Sequence, residues 1–310
     1  MPVTKELLQQ VLVELPTLRD ETRRLLARDF ENGLSFLSQS QAWLSKSENL
    51  RNRADFLEIS NALSNVFQSA CHNALGTLDC QDETHWFHRL LHKWHNAEPK
   101  PTIITLNYDC LLEHRASELN LTNPFEIQSL YQLPLTPALG GKAPKSAKTF
   151  RLFKLHGSMN WLYSGKRSFE GETLILGDPS TGERAEGYSG TEAALRGKYS
   201  LIIPPVLDKS DYMRHEGLVA QWRQAAFQIA SASRVFCLGY SLPPSDLSMV
   251  NFLRRTGIAK NSSPELWIVD LDEQVASRYS ELLEGSYRDF HQDFCGRDAV
   301  PSFCEWYLRS

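Results

Sequence analysis

From Pro101 onward, short β-rich runs alternate with segments of helical length, and this alternation constrains the fold more than any other feature. The runs TIITLNY, FRLFKLHG, LIIPP, VFCLGY and ELWIVD are rich in β-branched and aromatic residues. Helices are predicted after TIITLNY, over residues 214–232 and 245–256, and from Asp272. Strands alternating with helices at this spacing are typical of parallel sheets. We therefore predict an α/β fold with a Rossmann-like, doubly wound parallel sheet over residues 101–310.

The first hundred residues contain no comparable β-rich run and have helical periodicity instead. Apolar residues recur at helical spacing from Leu7 to Leu15 and from Phe56 to Phe67. These stripes predict a helical layer or subdomain over residues 1–100, packed with the 101–310 domain into one compact unit. Residues 164–200 are rich in Gly, Ser and Glu, and this composition predicts an inserted loop region.

Charge, hydropathy and cysteine usage exclude several classes of protein. The net charge is -4, so direct nucleic-acid binding is not expected. No apolar run approaches the roughly 20 residues of a membrane helix, and the start MPVTKELLQQ is unlike a signal peptide. The six cysteines form no C-x-x-C pair, and several lie in apolar runs, as buried, reduced thiols do. We predict a cytoplasmic protein without a membrane segment or a metal site.

The segment THWFHRLLHKWH offers an alternative interpretation as a metal site. His88, His92 and His95 stand there at i, i+4 and i+7, a spacing that can place metal ligands on one helix face. No acidic residue falls on that face, and the neighbouring Trp and Leu residues are typical of a packed amphipathic helix. The packed helix is the preferred interpretation.

Small, polar or titratable residues follow the predicted strands. The strand ends carry Thr105, Asn107 and Asp109, then His156, Gly157 and Ser158, then Gly239, Tyr240 and Ser241, and finally Asp270. Individually they have structural explanations, since Asn107 or Asp109 can cap the following helix and Gly239 can form a turn. Ligands of open parallel sheets bind at the carboxyl ends of the strands. Together these residues predict a binding crevice.

The segments TLNYD, KLHGSMNW, LGYSLPPSD and IVDLD occur in the order in which the sirtuin-like family has its motifs. The similarity runs from about Thr102 to Asp272, and it resembles the bacterial NAD-hydrolysing defence branch more closely than the protein deacylases. LHGS and GYSLPPSD are the more specific pieces, whereas TLNYD is weak alone. The resemblance implies a sirtuin-type NAD-binding domain and an NAD hydrolase (NAD glycohydrolase) that depletes NAD in anti-phage defence.

The resemblance also implies the catalytic residues. It assigns Asn107 to the nicotinamide ribose and the attacking water, Asp109 to the nicotinamide carboxamide, and His156 to the general base. The chemistry suits these groups, because cleavage of the ribose–nicotinamide bond passes through an oxocarbenium-like state and the leaving group departs neutral. One base then suffices, and histidine suits neutral pH. The alternative for His156 is a core histidine bonded to backbone.

Further positions are implied to bind NAD through the same motifs. They are Thr105, Gly157 and Ser158 in the first two motifs, Gly239, Tyr240, Ser241 and Asp246 near the phosphates and adjacent ribose, and Asp270 at the adenosine ribose. Sirtuins usually have Asn at the position of Asp270, and a carboxylate there can accept both ribose hydroxyl protons.

Two departures from the family modify these expectations. Residues 164–200 contain no cysteine, whereas deacylases carry a zinc module with two C-x-x-C pairs there, so deacylation is the least favoured activity. The first strand and Gly-rich phosphate loop of the family have no counterpart before MPVTKELL. We therefore expect this polypeptide to bind NAD weakly and to turn it over poorly unless an upstream segment supplies them.

Several functional alternatives remain open at this stage. One is a catalytically impaired, sirtuin-like subunit that binds a partner, or a nucleotide without turnover. The resemblance implies a homo-oligomer, or a partner such as a ring-shaped helicase-type ATPase or another sensor protein. The product can be ADP-ribose or its cyclic form.

Overall fold

The structure is a computed structural model, and it describes residues 4–77, 85–122, 127–132, 136–137, 148–164, 172, 174–177, 197–206, 209, 213, 215–244, 246–258 and 263–310. These residues form a mixed α/β fold in which several strands pair in parallel. The prediction of an α/β fold is confirmed at this level. Contacts divide the chain into unit 1 (Met1–Cys80, Thr105–Ala147 and Lys154–Val219) and unit 2 (Gln81–Ile104, Lys148–Phe153 and Ala220–Ser310).

The described residues contain eleven helices and nine strands. The helices are α1 (Thr4–Glu14), α2 (Asp20–Arg28), α3 (Phe30–Ser38), α4 (Lys46–Thr77), α5 (Trp86–Asn96), α6 (Leu111–Glu118), α7 (Gln128–Tyr131), α8 (Glu216–Ser231), α9 (Leu247–Gly257), α10 (Gln274–Leu282) and α11 (Ala299–Arg309). The strands are β1 (Thr102–Thr105), β2 (Thr136–Pro137), β3 (Arg151–Lys154), β4 (Gly157–Tyr163), β5 (Ile175–Leu176), β6 (Tyr199–Ile202), β7 (Arg234–Leu238), β8 (Glu265–Asp270) and β9 (Phe290–Cys295).

Unit 1 begins with the helices α1 to α4, where the sequence has helical periodicity. A capping box starts α4: the Ser45 N–H donates to Glu48 Oε2 at 2.8 Å, and the Glu48 N–H donates to Ser45 Oγ at 3.2 Å. Phe56, Ile59 and Leu63 are fully buried on α4, as their spacing predicts. None of the helices in the described residues is long and apolar enough to cross a membrane.

The sheet of unit 1 has the strand order β2-β5-β4-β6. Its central strand β4 is buried along its whole length and runs antiparallel to both β5 and β6. The run LIIPP, expected in a parallel sheet, contributes only Leu201 and Ile202 to β6, which pairs antiparallel with β4. Local patterns could not reveal this, because the partner strand β4 begins in the segment that the sequence marks as a glycine turn. Most of the predicted loop region 164–200 lies outside the described residues.

Strands β1 and β3 pair in a separate two-stranded sheet. The Arg151 N–H donates to the Pro101 carbonyl, and the Leu155 N–H donates to the Thr105 carbonyl, both at 3.0 Å. Since both partners advance by four residues, the strands are parallel. Their carboxyl ends therefore lie at the same edge.

Unit 2 contains the parallel sheet β7-β8-β9. Helix α11 packs on this sheet through an aromatic cluster in which Trp267 of β8 stacks on Trp306 of α11, with ring centroids 4.8 Å apart. Helix α5 joins the same core through Leu90, and Lys93 Nζ donates to the Tyr307 carbonyl at 2.6 Å. This core combines parts of the chain that are more than 200 residues apart.

Candidate functional site

Two loops of unit 1 lie side by side where β1 and β3 end. Beyond the bond between Leu155 and Thr105, the Met159 N–H donates to the Tyr108 carbonyl at 3.0 Å. The Ile203 N–H of the segment after β6 donates to the His156 carbonyl at 2.8 Å. These main-chain bonds bring together six of the residues that the sequence selects: Thr105, Asn107, Asp109, His156, Gly157 and Ser158.

The first loop carries Asn107 and Asp109. The Asn107 N–H donates to Thr105 Oγ1 at 3.1 Å, so Thr105 shapes the loop. Asn107 is exposed, and its side-chain amide makes no hydrogen bond within the part of the chain that the structure describes. Asp109 is buried at 8 % exposure and accepts the Leu111 N–H through Oδ1 at 3.2 Å. Its Oδ2 is buried and has no hydrogen-bond partner among the described residues.

His156 lies in the second loop and is half-buried. Its Nε2 is 3.3 Å from Nζ of Lys209, and its ring centroid is 6.4 Å from that of Tyr108. The Tyr108 hydroxyl donates to the carbonyl of Ile203, the residue whose N–H binds His156. The imidazole therefore contacts a lysine ammonium and lies near a tyrosine ring.

Gly157 and Ser158 are the first two residues of β4, and both pair with β6. Gly157 has φ +85°, and a Cβ there would overlap the Leu201 carbonyl of β6, with the carbonyl carbon at 2.9 Å. Ser158 is fully buried and donates through Oγ to Asn160 Oδ1 at 2.6 Å. Their assignment to NAD binding stays a prediction, and the Ser158 hydroxyl is engaged within β4.

A buried polar network lies beneath the two loops. Lys154 Nζ is 2.9 Å from Glu113 Oε1 and donates to the Asp109 carbonyl. The Tyr131 hydroxyl donates to Glu113 Oε1 at 2.7 Å and accepts from Asn160 Nδ2 at 3.0 Å. Burial raises the pKa of Tyr131, with the Glu113 carboxylate acting in the same direction.

Cys110 adjoins this network. Its Sγ lies 3.8 Å from Ser158 Oγ, and burial raises the pKa of its thiol. A thiol with a raised pKa stays protonated at neutral pH, so Cys110 is a poor nucleophile.

Sequence reasoning missed Lys154, Glu113 and Lys209. A signal existed for Lys154, because a lysine in the apolar run FRLFKLHG needs a buried partner or an exposed face. Glu113 offered a weaker signal, as one charge on a short helix. Lys209 offered none, since it lies 53 residues from His156 in the sequence.

In unit 2, Gly239 follows β7 and Asp270 ends β8. Gly239 has φ +64°, and a Cβ placed there would meet no heavy atom within 4 Å among the described residues. The Gly239 N–H donates to the Val269 carbonyl at 2.8 Å. Asp270 Oδ1 accepts the Asp272 N–H at 3.0 Å. Open space above Gly239 leaves its main chain accessible to a ligand.

The other selected residues of unit 2 have local hydrogen bonds. Asp246 caps α9 by accepting the Met249 N–H at 3.3 Å, and its other carboxylate oxygen accepts from the Tyr240 hydroxyl at 3.1 Å. The carbonyl of the exposed Ser241 accepts from Arg278 Nη1 at 2.7 Å. These bonds rigidify the turn between β7 and α9.

The three histidines of α5 differ in their burial. His88 is buried, whereas His92 is exposed. Within the described part of the chain, no group of three or more His, Cys, Asp or Glu side chains is arranged to hold a metal ion.

Comparison with protein-family models finds no match, and comparison with curated proteins finds none either. Function is therefore inferred from the geometry of this chain's own residues and from the motif resemblance.

Proposed function

We propose that this chain is a sirtuin-like NAD hydrolase that cleaves NAD to nicotinamide and ADP-ribose. The chemistry is assigned to Asn107, Asp109 and His156, which unit 1 holds on two adjacent loops. The proposal includes a Rossmann-like, doubly wound arrangement of the parallel strands and a cytoplasmic role in anti-phage defence. Control by a homo-oligomer or by a ring-shaped ATPase partner belongs to the same proposal.

The observation that carries the proposal is the carboxylate of Asp109. Its Oδ2 is buried and lacks a hydrogen-bond partner among the described residues, although a buried carboxylate oxygen without a partner is costly. A ligand that donates a hydrogen bond would remove this cost. The carboxamide of nicotinamide has two N–H donors, so it fits the free oxygen.

The neighbouring side chains supply what hydrolysis requires. Water attacks C1′ of the nicotinamide ribose, the C1′–N1 bond breaks, and nicotinamide leaves with that electron pair as a neutral molecule. The attacking water loses one proton, which His156 accepts. The exposed Asn107 amide can hold the water or the ribose hydroxyl in line, and such orientation lowers barriers by several kcal/mol.

Contacts to the rest of NAD rest on the motif resemblance. It assigns Gly239 and Ser241 to the phosphates and adjacent ribose, and Asp270 to the adenosine ribose. The open space at Gly239 and the partial exposure of Asp270 are compatible with these roles. They remain predictions.

A nicotinamide-release assay at millimolar NAD tests the proposal. We expect release by the native protein above that by heat-denatured protein, and a fall in kcat/KM of roughly ten- to a hundredfold in Asp109→Asn. This range corresponds to one hydrogen bond to a charged group, about 1.5–3 kcal/mol. Asp20→Asn, at an exposed carboxylate of α2, is the matched control and should change kcat/KM less than about twofold. Absence of nicotinamide release from the native protein contradicts the proposal.

A second function, nucleotide binding without turnover, is favoured by the contact between Lys209 and His156. An ammonium that donates to Nε2 engages the lone pair of the imidazole, whose other nitrogen then carries the proton. In that state His156 cannot accept a proton from water. NAD binding in calorimetry without nicotinamide release would support this second function.

The same contact predicts the effect of Lys209→Met. We expect nicotinamide release to rise about three- to tenfold, because a net hydrogen bond of roughly 1 kcal/mol no longer engages Nε2. Lys46→Met, at an exposed position of α4, is the control and should leave the rate unchanged. An unchanged or lower rate in Lys209→Met would mean that this lysine does not restrain the base.

A further inference from the structure

Unit 1 contains a lysine with no access to solvent at the end of β3. Lys154 has an exposed fraction of 0 % and Glu113 of 1 %, and their charged atoms are 2.9 Å apart. The same ammonium donates to the main-chain carbonyl of Asp109. One buried cation thus links helix α6, strand β3 and the loop that carries Asp109.

Stability alone is a poor explanation for this ion pair. The free-energy cost of removing two charges from water is about as large as the gain from their mutual attraction. Replacement of a buried ion pair by apolar residues is therefore often neutral or stabilising. A buried pair with such a cost points to a role in specifying geometry.

The pair is also tied to the strand that follows the second loop. Tyr131 donates to the same Glu113 oxygen that binds Lys154, and it accepts from Asn160 of β4. Burial alone lowers the pKa of Lys154, but the nearby Glu113 carboxylate more than offsets burial, and the pKa is raised. Lys154 is therefore a cation at neutral pH, with its Nζ held in one place.

Asp109 is the residue of the first loop that Lys154 contacts directly. Its carbonyl is held by Lys154, its Oδ1 accepts the Leu111 N–H, and its Oδ2 is left without a partner among the described residues.

We infer that Lys154, held by Glu113, is a positioning residue that fixes Asp109 with its Oδ2 unpartnered among the described residues, as the acceptor for an N–H of the ligand. The inference deepens the proposed function, because Asp109 is the group assigned there to the nicotinamide carboxamide. Lys154 touches no substrate in this scheme and acts through the main chain of Asp109.

The first test measures Asp109 without any reaction. The variant Lys154→Met with Glu113→Gln removes both buried charges, and amide hydrogen exchange is followed by NMR. We expect the Leu111 amide, which is bound to Asp109 Oδ1, to exchange at least tenfold faster than in the native protein. The Met159 amide, bound to the Tyr108 carbonyl, should change less than twofold. Equal changes at both amides, or none at Leu111, would overturn the inference.

Two further variants keep this test decisive. Tyr131→Phe loosens the network around Glu113 but leaves the bond between Lys154 and Asp109, so the Leu111 amide should keep its native exchange rate. We call the variant Lys154→Met with Glu113→Gln the charge-free variant. If the Leu111 amide exchanges as fast in Tyr131→Phe as in the charge-free variant, the specific role of Lys154 is wrong. If the Met variant does not fold, Lys154→Gln in the same Glu113→Gln background replaces it.

The second test measures coupling to Asp109 in the nicotinamide-release assay. If Lys154 acts through Asp109, Asp109→Asn should lower kcat/KM at least tenfold in the native background and less than threefold in the charge-free background. A residue with a merely structural role would leave the effect of Asp109→Asn unchanged, and that outcome would overturn the inference. Absence of release by the native protein would instead contradict the proposed function, and hydrogen exchange alone would then decide the role of Lys154.

Discussion

Replacement of His156 by alanine should lower kcat for nicotinamide release by roughly 10²–10⁴-fold, the usual contribution of a positioned general base. In the proposed reaction no other imidazole is assigned to take the proton from the attacking water. The variant should remain folded, because His156 is only half-buried and its main-chain bond to Ile203 survives the substitution. Nicotinamide release and thermal unfolding, measured on the same preparation, separate the two effects.

His114→Ala provides the matched control for this prediction. His114 is a partly buried imidazole on α6, in the same unit, and lies 3.1 Å from Glu118. Its loss should leave kcat within about twofold, since surface ion pairs contribute little.

Asn107→Ala should reduce kcat as His156→Ala does, because the amide orients the nucleophile. Retained turnover in His156→Ala would remove His156 as the base, and a large loss of stability would identify it as a core residue.

Gly157→Ala is the substitution from which we expect the largest loss of stability. A non-glycine residue in the left-handed region costs about 1–2 kcal/mol, and overpacking adds about 1–3 kcal/mol, so the free energy of unfolding should fall by about 2–5 kcal/mol. The new methyl group would overlap the Leu201 carbonyl of β6. A main-chain carbonyl can retreat only if the pairing of β4 with β6 is disturbed. Urea unfolding followed by circular dichroism measures the change.

Gly197→Ala separates the two contributions. Gly197 belongs to the same unit and has φ +73°, but a Cβ there meets no heavy atom within 4 Å among the described residues. It should therefore lose only the backbone cost of about 1–2 kcal/mol. Equal losses in the two variants would show that the overlap with Leu201 is relieved without cost.

The strand ends of the site were predictable because they depend on local patterns. Short β-rich runs locate β1, β3, β7 and β8, and the polar residues that follow them are visible in the sequence. Parallel pairing of β1 with β3 then places Asn107, Asp109 and His156 on neighbouring loops. Periodicity and topology rules suffice for this much.

Contacts between distant segments could not be predicted in this way. The approach of Lys209 to His156, and the antiparallel pairing of β4 with β6, depend on chain segments about 40 or more residues apart. The sequence marks HGS as a turn, but a seven-residue buried strand, β4, already begins at its glycine, Gly157. No local periodicity distinguishes such a strand from the end of the previous one.

Unit 2 is built from three separate segments of the chain, so its core cannot form until the last of them has been synthesised. Helix α5 leaves the ribosome well before its partner α11, because Lys93 is 214 residues from Tyr307. At about 5–20 residues per second, α5 waits roughly 10–40 s for that partner. Until α11 is synthesised, Leu90 cannot form the contacts with Ala299 and Phe303 that bury it in the finished core. Slower translation of the codons between α5 and α11 should lengthen this wait. Because unit 2 combines Gln81–Ile104, Lys148–Phe153 and Ala220–Ser310, no contiguous fragment of the sequence encodes it alone.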